Sequence, residues 1–306
     1  MISFQKAVRE KVWLKVLLTS PSGGGKSYSA LRLAEGIASK CGSRVAYIGT
    51  EGSRDLYYSN EFDYDVIHLD APFTIDKYIE AINAAIDGGY KVLIIDTISA
   101  EWQTLNDTHD KMPGNSFQNW GKLKPKHQSF IDKILLSPIH IICTGRGKDE
   151  WVLEENSNGK KVPKLVGLGT QSDKNINYNF TVTFSLDQDT HIASAVKDNT
   201  HLFNNKYEVL TERDGVALYD WANSSDIPAE VKPMPKYEAT ETSSEDELKS
   251  IKKEIIDLCV KLGGSKNEQL MGTLKEFVPS GNPNAIRSID KASECLSKVK
   301  GVKPLA

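Results

Sequence analysis

The amino-acid sequence predicts an α/β fold, with a mostly parallel central sheet, an antiparallel extension at one edge and a small helical module at the C-terminus. Three observations carry this. Apolar strand-like runs alternate with helical patterns through the first two thirds of the chain, which is the arrangement of βαβ units. Short alternating segments take over after residue 175. A Pro-containing polar stretch then precedes a last group of amphipathic segments.

The strand segments are 12–19, 44–50, 65–69, 91–96 and 139–144, with helices over 26–40, 75–87 and 125–136 between them. Val92-Leu93-Ile94-Ile95 and Ile139-His140-Ile141-Ile142 are almost continuously apolar, as strands covered on both faces require. Segments 178–186, 191–196 and 206–210 alternate as antiparallel strands, and a helix over 216–222 closes a core domain of residues 1–222. Residues 223–244 contain Pro228, Pro233 and Pro235 with few large apolar side chains, the composition of a flexible linker. Residues 245–306 hold the helical module. Its first helix, 246–262, aligns Leu248, Ile251, Ile255, Leu258 and Leu262 on one face, and helices over 266–277 and 283–299 follow.

Bulk properties exclude several classes. A net charge of -3 gives no global nucleic-acid signature, so any such binding must come from a local patch. Cys41, Cys143, Cys259 and Cys295 are scattered without CxxC spacing, which points to free thiols in a reducing compartment rather than to zinc. No apolar run approaches the length of a membrane span, and the N-terminal residues have no signal-peptide core. The expected location is cytoplasmic, the host cytoplasm if the gene is carried by a phage.

Ser20-Pro21-Ser22-Gly23-Gly24-Gly25-Lys26-Ser27 joins the first strand to the first helix. This is a phosphate-binding loop, in which backbone N–H groups and a helix N-terminus wrap a polyphosphate. Ser22, Gly23, Gly24, Gly25, Lys26, Ser27 and Tyr28 are the candidate nucleotide contacts. Lys26 reaches the β- and γ-phosphates and the Ser27 hydroxyl binds Mg²⁺. Ser20 stands where the motif has its first glycine. The ligand is a nucleoside triphosphate with Mg²⁺.

Further polar residues leave the strand ends. Asp96 closes an apolar strand, where it can hold Mg²⁺ or cap a turn. Glu51 closes another, where it can orient the attacking water or stand solvated. Thr144 leaves a third, where it can sense the γ-phosphate. Arg146 and Lys148 then begin a polar loop.

Taken in order, these residues resemble the RecA-type recombinase core. They are more similar still to the RecA-like P-loop ATPases of bacteriophages associated with single-strand DNA annealing and recombination. The carriers are residues 17–31, Thr50-Glu51-Gly52, residues 93–102, Asn119-Trp120-Gly121, Pro125-Lys126-His127 and residues 140–148, within a resemblance that covers residues 1–222. It implies ATP as the nucleotide, Glu51 as the residue that activates water and Thr144 at the position of a γ-phosphate sensor. It also implies that Lys197 reaches the nucleotide of a neighbouring subunit, in a head-to-tail ring or filament. Lys197 reads equally as an edge-strand surface lysine. Asn199 replaces a second basic residue common in relatives, and Gly49 replaces a frequent aspartate.

Two long loops, 99–124 and 145–175, leave the same sheet edge. With the adjoining helix they carry Lys122, Lys124, Lys126, Arg146, Lys148, Lys160 and Lys161, interleaved with Trp102, Phe117, Trp120 and Trp151. Cations for phosphates and aromatic faces for bases suit single-stranded DNA, and the resemblance puts DNA-binding loops at these positions. Phe4 and Ala7 match an F-x-x-A docking segment, but two fixed residues recur often by chance and packing of an amphipathic helix is the preferred reading. The sequence thus predicts a DNA-stimulated ATPase that binds single-stranded DNA. Single-strand-binding or replication proteins are candidate partners of the C-terminal module. The competing expectation is a nucleotide-gated loader with slow hydrolysis.

Overall fold

The computed structural model describes residues 4, 6–155, 161–170, 172, 176–235 and 244–303. The chain runs β1 (Lys15–Ser20), α1 (Lys26–Cys41), β2 (Val45–Gly49), β3 (Tyr64–His68), α2 (Ile75–Asp87), β4 (Val92–Asp96), α3 (Ser99–Lys111), α4 (Ser116–Leu136) and β5 (His140–Glu155). It continues through β6 (Lys161–Thr170), a single turn α5 (Ile176–Asn179), β7 (Val182–Leu186), β8 (Ala193–Asp198) and α6 (Glu212–Ala222). Three helices complete it: α7 (Ser244–Lys261), α8 (Glu268–Phe277) and α9 (Ile289–Lys300). Among the described residues no helix is long and apolar enough to cross a membrane.

The sheet order is β3-β2-β4-β5-β1-β7-β8. Every neighbouring pair is parallel as far as β7, and β8 closes the edge antiparallel. The sheet is therefore the doubly covered α/β sheet that the apolar runs predict. On one face Val16, Leu18, Val45, Val92, Ile94 and Ile142 pack with α1 and α6 residues. On the other, Leu17, Ile48, Leu93, Ile95 and Ile141 pack with Tyr78, Ile82, Phe130 and Ile134. Each such side chain contributes roughly 1.5–3 kcal/mol of burial, and a one-residue slip would turn every one to the wrong face. That fixes the register and sets Gly49 opposite Asp96 and Cys143 opposite Ile95.

Both segments read as long loops contain helix or strand among their described residues. Residues 99–124 form α3 and the first part of α4, and α4 continues through Pro125. Pro125 reads in the sequence as a helix start, and the polar composition of 99–124 conceals the turns on either side of it. Residues 147–155 and 161–170 pair as the antiparallel strands β5 and β6, with Gly147 opposite Thr170 and Glu155 opposite Lys161. Of the strand expected over 206–210, a single bridge to Ala193 at Glu208 forms. Residues 6–14 are not helical and Phe4 is exposed, so the amphipathic helix expected there is not formed. Part of the expected linker is tied down, because Lys11 N–H donates to Ile227 O and the Ser225 hydroxyl to Arg9 O.

The chain divides into two compact units, Met1–Asn106 with Ser129–Lys236, and Asp107–Gln128 with Tyr237–Ala306. The second has its own core, including Ile251, Ile255, Leu270, Leu274, Ala292, Leu296 and Val299. The α3–α4 connection belongs to this unit, and Asn115 Nδ2 donates there to Glu254 Oε2 at 3.4 Å.

Candidate functional site

β1 lies between β5 and β7 with all six residues buried. The chain therefore leaves it at the C-terminal edge, where parallel sheets place ligand sites. The loop turns on Gly23 and Gly25, at φ 86° and 76°, conformations that a Cβ disfavours. Gly25 then caps α1, whose first N–H groups open towards the loop. Ser20 needs no glycine, because it is not among the residues with positive φ. Its side chain fills the space that a Cβ on Gly24 would take, so in this loop the close approach falls on Gly24.

Lys26 Nζ folds back onto the loop. It donates to Ser20 O at 3.0 Å, Ser20 Oγ at 3.2 Å and Pro21 O at 2.8 Å. Burial lowers its pKa, opposed by the Asp96 and Glu51 carboxylates. Phosphate oxygens are stronger acceptors for an ammonium than these carbonyls, so the side chain is stored in a releasable position.

Asp96 accepts three hydroxyls: Ser27 Oγ at 2.5 Å, Tyr47 OH at 2.6 Å and Thr144 Oγ1. The adjacent Ser27 and Asp96 oxygens are hard donors. Mg²⁺ takes one or two protein oxygens and completes its shell with phosphate and water, so this pair fits it. Glu51 stands at the pocket wall between two arginines, with Arg146 Nη2 at 3.1 Å from Oε1 and Arg54 Nη1 at 3.7 Å from Oε2. The pocket holds about 670 Å³ and is lined by Gly23, Lys26, Ser27, Tyr28, Glu51 and Asp96 among others.

Several candidate residues stand outside this pocket. Thr144, expected near the γ-phosphate, is fully buried, donates to Asp96 and is not among the residues lining the pocket. Lys197 Nζ donates to Tyr178 O and Phe180 O, both at 2.5 Å, and does not line its own chain's pocket. Lys122, Lys124 and Lys126 are exposed on α4 in the second unit. Lys148 and Lys161 lie on the paired strands β5 and β6, and Lys160 lies outside the described residues.

The structure also adds residues. Tyr47 is a buried partner of Asp96. The β7–β8 turn reaches the loop, with Gln188 Nε2 donating to Ser22 O at 3.0 Å and His191 beside Gly25. Asp187 accepts from Thr190 N–H and its hydroxyl, a turn signal visible in Asp187-Gln188-Asp189-Thr190, although the sequence does not say what the turn covers.

The sequence matches the family described as AAA domain over residues 13–213. The chain belongs to this AAA-domain family. The match spans the whole nucleotide pocket, from the strand before the loop to the start of α6, and leaves the C-terminal helices outside the AAA domain. No curated protein matches. Among solved structures, a KaiC-like protein from the hyperthermophilic archaeon Pyrococcus horikoshii OT3 matches at 16% identity, covering 60% of this chain and 79% of that one with a TM-score of 0.37. The strand order and the loop after β1, rather than this likeness, make the AAA domain here an α/β P-loop NTPase fold.

Proposed function

We propose that the chain is an ATP- and Mg²⁺-dependent ATPase that binds single-stranded DNA and works as a head-to-tail homo-oligomer in strand annealing or recombination. One observation carries the coupling of nucleotide to DNA. β5 is a continuous strand that passes under Asp96 at Thr144, pairs with Glu51 through Arg146, and enters the β5–β6 hairpin at Gly147. A change at the nucleotide is thus one residue from the hairpin.

In this reading the N–H groups of residues 22–27 wrap the phosphates, and Lys26 exchanges its loop carbonyls for β- and γ-oxygens. Ser27 and Asp96 hold Mg²⁺, which when bound neutralises developing phosphate charge. Glu51 orients the attacking water and takes its proton. Lys197 of a neighbouring subunit supplies a cation in trans. Lys122, Lys124, Lys126, Arg146, Lys148, Lys160 and Lys161 contact the DNA backbone, and the C-terminal module docks replication or single-strand-binding proteins. ATP hydrolysis with and without single-stranded DNA, together with DNA retention across a salt series, tests this. Stimulation and ATP-dependent, salt-sensitive retention are expected. Neither appearing would refute the reading.

A second reading is a nucleotide-gated loader with slow hydrolysis. The ion pairs of Glu51 with Arg146 and Arg54 favour it, because oxygens engaged by two guanidinium groups have fewer lone pairs left to accept a hydrogen bond from the attacking water. Sedimentation with ATP, ADP and no nucleotide separates the two, since a loader changes its assembly with the nucleotide.

A further inference from the structure

Gly49 ends β2, and the chain passes through Thr50 and Glu51 into a 3-10 turn at Gly52–Leu56. That turn folds Asp55 back against the strand end. The Asp55 side chain is 2% exposed, and a Cβ on Gly49 would overlap its carboxyl carbon and both oxygens. A carboxylate buried this deeply requires partners. Oδ2 faces His68 Nδ1 on β3 at 2.9 Å, and Oδ1 accepts the Glu51 N–H at 3.3 Å. The Tyr64 hydroxyl donates to the Asp55 carbonyl at 2.6 Å, which ties the turn to β3. Burial pushes the Asp55 pKa up, and His68 and the Glu51 N–H oppose that.

Glu51 is therefore held at two points. Arg146 and Arg54 take its side chain at the pocket wall, and Asp55 takes its backbone from below. Its carboxylate has several rotatable bonds, so a loose backbone would let the arginines decide where the oxygens stand. We propose that Asp55 is a positioning residue for Glu51, and that position 49 is glycine in order to admit its carboxylate. This rests on the reading of Glu51 as the group that orients water. A misplacement of about 1 Å at such a group costs on the order of 10²-fold in rate.

The geometry supplies its own control. A Cβ on Gly49 would stand 2.1 Å from the Asp55 carboxyl carbon, and a carbon–carbon single bond is about 1.5 Å. An aspartate at 49 therefore carries a carboxylate into the same space from β2 instead of from the turn. Gly49→Asp alone crowds two carboxylates into one space. Combined with Asp55→Ala, it restores one.

The test measures kcat, KM, ATP affinity, melting and hydrogen exchange at the Glu51 amide on the full chain. Asp55→Ala is expected to lose about 10²-fold in kcat, to keep ATP affinity within about twofold, and to expose the Glu51 amide to faster exchange. The Gly49→Asp/Asp55→Ala double variant is expected to recover most of that kcat and the amide protection. Wild-type kcat in Asp55→Ala overturns the proposal. So does a double variant that does not fold, or one that melts like wild type yet recovers neither rate nor protection. Should Asp55→Ala alone not fold, the double variant is compared directly with wild type by the same criteria. Glu51→Gln separates the two levels: unchanged turnover in it removes the water-orienting role, while amide protection still decides whether Asp55 holds the Glu51 backbone.

Discussion

Two charged side chains are buried at opposite ends of the central strands. Asp96 lies at the C-terminal edge and Lys15 at the N-terminal edge, 6% and 4% exposed. Their partners differ in kind. Asp96 is satisfied by hydroxyls from α1, β2 and β5, which can rotate and serve as donor or acceptor. Lys15 Nζ donates to the carbonyls of Ser137 at 2.8 Å and Ile139 at 2.5 Å, which pins the α4–β5 connection to β1. A ligand can take a place among partners at the pocket wall, where Asp96 lies, but it cannot reach an ammonium enclosed by backbone as deeply as Lys15. Burial of charge alone does not mark a site; partners that can be released do.

Lys26 gives the largest break in that comparison. Its loop carbonyls are releasable partners, so Lys26→Ala should remove nucleotide binding and leave the fold standing. Two or three charge-assisted hydrogen bonds at about 1.5 kcal/mol or more each amount to at least about 10²-fold in affinity. Titration of a fluorescent ATP analogue measures it, and melting within a few degrees of wild type is expected. Affinity within about threefold of wild type would mean that Lys26 is as structural as Lys15.

How much of this was readable in the sequence follows the same division. The loop at 20–27, Glu51 and Asp96 are local signals, each a short pattern at a strand end, and the structure gathers them around one pocket. Tyr47, Asp55 and His191 are not local. Tyr47 reaches Asp96 only because β2 pairs with β4 in one register, Asp55 because a 3-10 turn reverses, and His191 because the β7–β8 turn lands on Gly25. Thr144 shows the converse. The sequence ends a strand at Thr144, but β5 runs on through it to Glu155 and its side chain donates to Asp96. Residues 99–124 and 145–175 read as loops in the sequence because polar composition does not distinguish a solvated helix or strand from an irregular segment. The glycine at 49 was visible as an oddity, and only the folded position of Asp55 explains it.

Tyr47→Phe makes a finer cut. It deletes one of the three donors to Asp96 and keeps the ring that packs near Tyr64. A hydrogen bond to a charged group is worth about 1.5–3 kcal/mol, and the two remaining hydroxyls soften the loss. Denaturant unfolding should show about 1–2 kcal/mol less stability, with ATP affinity within about threefold. The opposite pattern, unchanged stability with lost Mg²⁺-dependent binding, would make Tyr47 part of the ligand site instead of its support.

Lys15→Met should leave nucleotide binding and turnover untouched and change only how stability depends on pH. Burial lowers the Lys15 pKa to about 7 from an ordinary value of 10.5. Between those values the unfolded chain binds more protons at this position than the folded one. The contribution of Lys15 to stability therefore rises with pH across that window. Below about pH 7 both states are protonated and the full cost of the buried ammonium is present; above about pH 10 it is relieved. Methionine fills a similar volume without charge, so it should be more stable than wild type at pH 7, and its advantage should shrink at pH 9. Comparing the two proteins at each pH cancels opposing titrations such as that of the Cys143 thiol, whose pKa burial raises. A constant difference between pH 7 and 9 would show that Lys15 keeps its ordinary pKa, held charged by its two carbonyls. The contrast with Asp96 would then lie in the geometry of the partners alone.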